Sequence, residues 1–345
     1  MTALRREKSG NVAALLPDEV QQVVKGANCF DFLRYFFAFM LIVAHFCTLT
    51  NIDQLFFISG GLRVKAFFVI TGFLVSFSFI RRNGNLKSYF MKRFVRIVPA
   101  YLCTIVFCFL IGLWLTDLSA GSFLSSSSSW RYLAVNAMML NWLQPDLPGV
   151  FLANPLPQMN GALWSMKLEV LFYIIVPMLL FLAAKWGKRL LLPILFVAVV
   201  GSYSFLQVQG QYFTFFIGGM TVLLLFQYHS YLKYLIWVCV PLMVLPYMVN
   251  SPLLEQCIGS LEPYLFAITL VGVAYILSFL SFFRRLDNIT YGLYLYHFPV
   301  IQVLVHYRLH ERSIVLTLIL AVLITAILAT LSWKLIEQPL MNKYK

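Results

Sequence analysis

Residues 30–50 read FDFLRYFFAFMLIVAHFCTLT. As a helix this run would be about 30 Å long, the thickness of a bilayer's hydrocarbon core. It is apolar almost throughout, yet it carries Asp31, Arg34 and His45. The rest of the 345-residue chain has the same character, 61% hydrophobic and 11% charged, where soluble domains carry about a quarter charged residues. No water-soluble core could hide so much apolar surface, so the solvent is the bilayer, where helices satisfy their own backbone polar groups. The 32 Phe and 18 Tyr suit packing in lipid and at both interfaces. The fold class expected is an all-α, polytopic helical membrane protein.

Working outward, further apolar runs near 64–81, 94–115, 163–184 and 190–206 read as spans. Five more follow near 211–227, 232–249, 261–281, 289–307 and 314–335, about ten transmembrane helices in all. The segment 131–143 is too short and reads as a loop or re-entrant piece. With both termini cytoplasmic, twenty of the 26 Lys and Arg fall on the inner side, the bias that orients membrane proteins. Residues 1–29 lack a signal-peptide pattern and read as a polar cytoplasmic tail. Residues 30–336 form the membrane domain, and 337–345 a second cytoplasmic tail. The longest outer segment, about 116–162, contains the Ser125–Ser129 run and several prolines, which predicts irregular surface structure.

Several chemistries are disfavoured. The net charge of +13 is distributed between apolar runs without exposed aromatic interleaving, which argues for topology and against nucleic-acid binding. The six cysteines form no Cys-x-x-Cys pair and read as buried, inert thiols. His306 and His310 lack an evident third ligand, so no metal is expected. There is no Gly-rich nucleotide loop and no Gly-x-Ser-x-Gly elbow.

Ionisable side chains within a span are costly and face a partner or a cavity. Arg34 and His45 are eleven helical steps apart, so they return to within about 20° of one face and lie roughly 16 Å apart along it. Asp31 can pair with Arg34 at the inner end. That layout suits a cofactor with an anionic head and a long arm; it also suits a snorkelling arginine and a histidine bonded to a neighbouring helix. Glu169 needs a partner from another span, and His45 would make a histidine–carboxylate dyad. His297 either lines the same cavity or joins an aromatic seam. The loop 81–96, with Arg93 and Arg96, reads as topology, as a lipid contact or as a phosphate clamp. Glu337 reads as a structural counter-ion.

In order along the chain stand Phe30-Asp31-Phe32-Leu33-Arg34 with His45, Phe67-Phe68-Val69-Ile70-Thr71-Gly72-Phe73-Leu74, and Arg93 with Arg96, Ile97 and Pro99. Leu163-Trp164-Ser165 with Glu169, Phe172 and Tyr173 follows. Thr290-Tyr291-Gly292-Leu293-Tyr294-Leu295 with His297 and Pro299, and then Glu337 with Pro339, complete the set. Together they resemble membrane-bound acyltransferase family 3, the bacterial O-acyltransferases of O-antigen and other surface polysaccharides. The chain departs from that pattern where Lys65 replaces an acidic residue, Thr71 a serine, and Val170 a second acidic residue.

The resemblance implies an acetyl-CoA-dependent O-acetyltransferase in the bacterial inner membrane, without a metal, that acylates a lipid-linked glycan or surface polysaccharide. It implies Arg34, Arg93, Arg96 and Thr71 as the cofactor-binding set. His45 would be general base or acyl carrier, oriented by Glu169, and Trp164, Tyr291 and His297 would line the cavity. Two other readings fit the same residues: acylation of a small soluble glycosylated product, and secondary transport. Oligomeric state is open, since lipid-facing and partner-facing surfaces look alike.

Overall fold

A computed structural model describes residues 11–52, 60–203 and 208–344. Most of the described residues are helical, and none of them is in a strand. Long apolar runs become helices because a bilayer offers no other partner for their N–H and C=O groups. For the same reason prolines persist inside helices, at Pro99, Pro177, Pro193, Pro241, Pro246, Pro263 and Pro299. Some starts are capped: Ser251 and Ser313 accept from the N–H three residues on, and Pro252 follows Ser251 at the first helical position.

In chain order the helices are α1 (Asp18–Lys25), α2 (Phe30–Thr50), α3 (Gly60–Ile80), α4 (Leu86–Leu115), α5 (Ala120–Ser125), α6 (Ser127–Ala137), α7 (Met166–Trp186) and α8 (Lys188–Tyr203). Then come α9 (Val208–Leu224), α10 (Leu232–Val249), α11 (Pro252–Ile276), α12 (Thr290–His306), α13 (Leu309–Arg312), α14 (Ile314–Ser332) and α15 (Gln338–Lys343). Among the described residues, seven helical stretches are long and apolar enough to cross a membrane. The other three expected spans coincide with helices of 16 or 17 residues, α8, α9 and α12. The chain is a multi-pass, all-α membrane protein. One expectation is corrected: the outer stretch 116–162 is not irregular throughout, because α5 and α6 take up Ala120–Ser125 and Ser127–Ala137 and with them most of the serine run, while 131–143, half of it in α6, is not a span.

The chain divides into two compact units. The first comprises residues up to Leu33, Val64–Phe90 and Val170–Arg285. Within it, residues 12–24 are packed rather than loose. Val12, Leu15, Leu16, Val20 and Val24 are buried, Lys188 Nζ donates to the Leu15 carbonyl, and Tyr275 Oη to that of Val24. Asp31 Oδ2 lies 3.9 Å from Arg284 Nε. Burial pushes the Cys29 thiol up to about 11, far from a reactive thiolate. Cys47, Cys108 and Cys239 are buried as well, whereas Cys103 and Cys257 are exposed. Lys65 donates to Glu262 Oε1 at 2.6 Å and sits 4.9 Å over the Phe215 ring, so the reversed charge at this position is neutralised from α11.

Helices α3 and α9 cross at backbone contact. A Cβ on Gly72 would stand 2.1 Å from the Phe216 carbonyl oxygen, and one on Gly219 would stand 2.2 Å from that of Val69. Backbone cannot give way as a flexible side chain can. Gly72→Val is therefore expected to cost about 3 kcal/mol, the upper end of overpacking. It should appear as a lost monodisperse peak in detergent size-exclusion; a normal profile would show that the crossing has slack.

The second unit comprises Arg34–Arg63, Met91–Glu169 and Leu286–Lys345. Helices α12 and α14 pack closely, and a Cβ on Gly292 would meet Ala329 Cα at 2.7 Å. After α6 the chain is irregular apart from 3₁₀ turns at Asn141–Leu143 and Gly161–Ser165, as the prolines predict. Side-chain amides pin it to α12. Gln302 Nε2 donates to the carbonyls of Leu156 and Gln158 at 2.7 and 2.6 Å. Asn154 donates to Gln302 Oε1, and Asn160 to the Leu295 carbonyl. Buried amides of this kind must be satisfied, and satisfying them fixes the loop's course. The segment thus delivers Trp164 and Ser165 beside α12.

Candidate active site

Helix α2 is continuous from Phe30 to Thr50, so the spacing of Arg34 and His45 holds. His45 Nδ1 is 2.7 Å from His297 Nε2. The ring planes are inclined by only 8° and the centroids are 4.9 Å apart. Face-to-face stacking is incompatible with so short an N···N contact; the rings lie edge to edge, nearly in one plane, as a hydrogen bond requires. Phe298 packs its edge on the His45 ring, with centroids 5.3 Å apart.

The protons on this pair follow from its partners. His297 Nδ1 is 3.0 Å from the Leu293 carbonyl oxygen, which can only accept, so Nδ1 carries a proton. In a neutral imidazole Nε2 then bears the lone pair, and the proton in the 2.7 Å contact belongs to His45 Nδ1. His45 Nε2 is left with a lone pair that this contact does not use. His297 is fully buried, while His45 is partly exposed. One histidine is therefore structural and the other is presented.

The expected carboxylate partner of His45 is corrected: its hydrogen bond goes to a second imidazole. Glu169, in the first turn of α7, lies within electrostatic range of the Tyr294 hydroxyl. Lys167, two residues earlier, is held 4.2 Å over the Trp142 ring. Trp164 is half-buried in the 3₁₀ turn Gly161–Ser165.

Helix α12 carries a row of functional groups with helical spacing. Tyr291 donates to the Ile97 carbonyl at 3.2 Å. Tyr294 shares a 2.9 Å hydrogen bond with Ser165 and also donates to the Ala162 carbonyl. His297 stands one turn further, its ring 6.3 Å from that of Tyr294. Just before the helix, Asn288 Oδ1 accepts from Arg96 Nη2 at 2.9 Å and from Thr290 Oγ1 at 3.2 Å. From Thr290, the first residue of α12, to His297 is seven helical steps, about 10 Å.

Helix α12 thus connects the arginine end of the second unit to the imidazole pair, as α2 does from Arg34 to His45. At that end Trp333 Nε1 donates to Asp287 Oδ1 at 3.2 Å, and Tyr35 donates to the Asp287 carbonyl. Trp333–Glu337 is a π-helical turn. It turns Glu337, 0% exposed, to accept from Ser332 Oγ at 3.2 Å within the field of Arg96. Arg93 is half-buried one turn before Arg96 on α4.

Eight of the nine expected site residues, all but Thr71, belong to the second unit; Thr71 belongs to the first, on α3 beside Gly72. A hollow of about 830 Å³ in the first unit, bordered by Pro193, Phe226, His229 and Tyr264, is lined by none of the nine. Among the described residues no cluster of three His, Cys, Asp or Glu could hold a metal ion. Sequence reading named Tyr294 only as part of an ordered motif and did not single out Arg63. Arg63 is in fact buried, 4% exposed, with Nη1 donating to the Met40 carbonyl at 2.9 Å. A signal for Tyr294 was its place three residues after Tyr291 and three before His297; nothing local flagged Arg63.

Comparison with known proteins adds an independent line. An acyltransferase domain family matches residues 28–334. Nodulation protein 10 of Rhizobium leguminosarum bv. viciae is 28% identical, over 91% of this chain and 93% of that protein. An O-acetyl transferase of Shigella phage Sf6 is 32% identical over 52% of this chain and 54% of its own. O-acetyltransferase OatA of Staphylococcus aureus (strain NCTC 8325 / PS 47) is 25% identical over 91% of this chain, which spans 57% of OatA. No solved structure matches.

Proposed function

From the premise that this chain belongs to the acyltransferase family matched over residues 28–334, we propose that it is an inner-membrane O-acetyltransferase that moves an acetyl group from acetyl-CoA to a hydroxyl of an envelope glycan. Relatives named as O-acetyl transferases support the O-acetyl group. The observation that carries the reading is the imidazole pair, which leaves His45 Nε2 as a base on a partly exposed ring.

In this scheme Arg34, Arg93 and Arg96 receive the phosphates of the donor, since guanidinium forks match phosphate geometry. Its thioester arm lies along α2 and α12 toward His45. His45 Nε2 takes the proton of the acceptor hydroxyl as its oxygen attacks the thioester carbon. Collapse of the tetrahedral intermediate breaks the C–S bond, and the leaving thiolate takes the proton back from His45. Glu169, Trp164, Tyr291 and Tyr294 shape the acceptor side, with His297 holding the base in place.

Mass spectrometry of envelope glycans from cells with and without this protein tests the reading. Loss of one acetyl increment per glycan repeat is expected without it. An unchanged glycan profile, with no acetyl-CoA consumed by the purified protein in liposomes, would overturn it.

A further inference from the structure

Arg63 is a buried cation in the same unit as the imidazole pair. Its Nη1 donates to the carbonyl of Met40 on α2, five residues before His45. Nε is buried without a hydrogen-bond partner, and among the described residues no carboxylate lies within ion-pair distance of the guanidinium. Its field reaches the His45 imidazole and Cys47. Arginine keeps its charge in proteins, so this position holds a positive charge with four of five N–H donors not committed to the Met40 bond.

Such a charge is expensive. Burying an ion without a counter-charge costs several kcal/mol, and one carbonyl hydrogen bond offsets a fraction of it. Sites that retain such a penalty are set up for negative charge that arrives or develops during turnover. Acyl transfer from a thioester develops that charge on the carbonyl oxygen. When the acceptor oxygen bonds to the carbon, the C=O π pair moves onto oxygen; when the C–S bond breaks, it returns.

We infer that Arg63 is a catalytic residue that holds the oxyanion of the tetrahedral intermediate formed beside His45. The inference rests on the acyl-transfer reading above. It explains why a guanidinium sits where a neutral side chain would be cheaper. Lys65, two residues on, is neutralised by Glu262, whereas Arg63 has no such partner among the described residues.

The test combines stability with kinetics in liposomes, using acetyl-CoA and lipid-linked glycans extracted from the host's membranes. Arg63→Met should raise the melting temperature of the ligand-free protein, because a strained charge is gone. It should lower kcat by about 100-fold or more with KM little changed, as for loss of an oxyanion donor. Arg63→Lys, which keeps charge without the fork, should fall between. A melting temperature that drops, or a methionine variant that fails to fold, would make the Met40 bond structural and overturn the inference. So would full activity in either variant, or a loss confined to KM for the glycan, which would indicate an anionic acceptor group. Wild-type protein without transfer would retire the acyltransfer reading itself, while an active wild type with an indifferent Arg63 would retire this inference alone.

Discussion

His45→Ala is expected to reduce acyl transfer by at least about 1,000-fold, within the range contributed by a positioned general base, while leaving membrane insertion and folding intact. The sizes of the two effects differ for a physical reason. His45 makes one hydrogen bond to its partner and is partly exposed, so its removal costs the fold little. It is also the ring that keeps an unshared lone pair when its Nδ1 proton is engaged. Measured in liposomes, transfer should vanish while the melting temperature moves by a few degrees at most, about 1 kcal/mol in a chain of this size. His45→Gln, which keeps a hydrogen-bonding group of similar reach, should be as inactive as alanine, because an amide is no base. An alanine variant with normal transfer would remove this mechanism.

His297→Phe is the second large expectation. Phenylalanine fills similar space in an α12 environment already rich in aromatic rings, but it can neither accept from His45 nor donate to the Leu293 carbonyl. Without an acceptor at 2.7 Å, His45 samples both tautomers and rotates. In catalytic triads a wrong tautomer alone costs about 10,000-fold; here, with a neutral orienting group, about 100-fold is expected. His297 acts through His45, so the pH dependence of transfer is the discriminating readout: its lower limb should move when the partner ring is lost. A variant that only unfolds more easily, with kcat and pH profile unchanged in the folded fraction, would reduce His297 to packing.

Much of this was legible along the chain. The Arg34–His45 relation is a property of one helix, so eleven residues of numbering suffice to state it. Trp164, Tyr291 and His297 announced themselves as polar or aromatic groups in ordered motifs. The identity of His45's partner was not legible, and the expected carboxylate was a reasonable guess, since carboxylates commonly orient histidines. Two imidazoles separated by 252 residues meet only because α2 packs against α12. The role of Asn154, Asn160 and Gln302 was equally hidden. Amides are ordinary in a loop sequence, and only folding shows that they tie the outer segment to the helix bearing His297.

Membrane residence, helical class, most span positions and the axial reach from guanidinium to imidazole belong to the linear text. The bilayer forbids unsatisfied backbone, and a helix converts residue number into height and angle. Which ring bonds which, which nitrogen keeps its lone pair, and that Arg63 turns inward rather than out to water belong to the packed molecule. Those outcomes depend on contacts between segments distant in sequence, and no local periodicity encodes them.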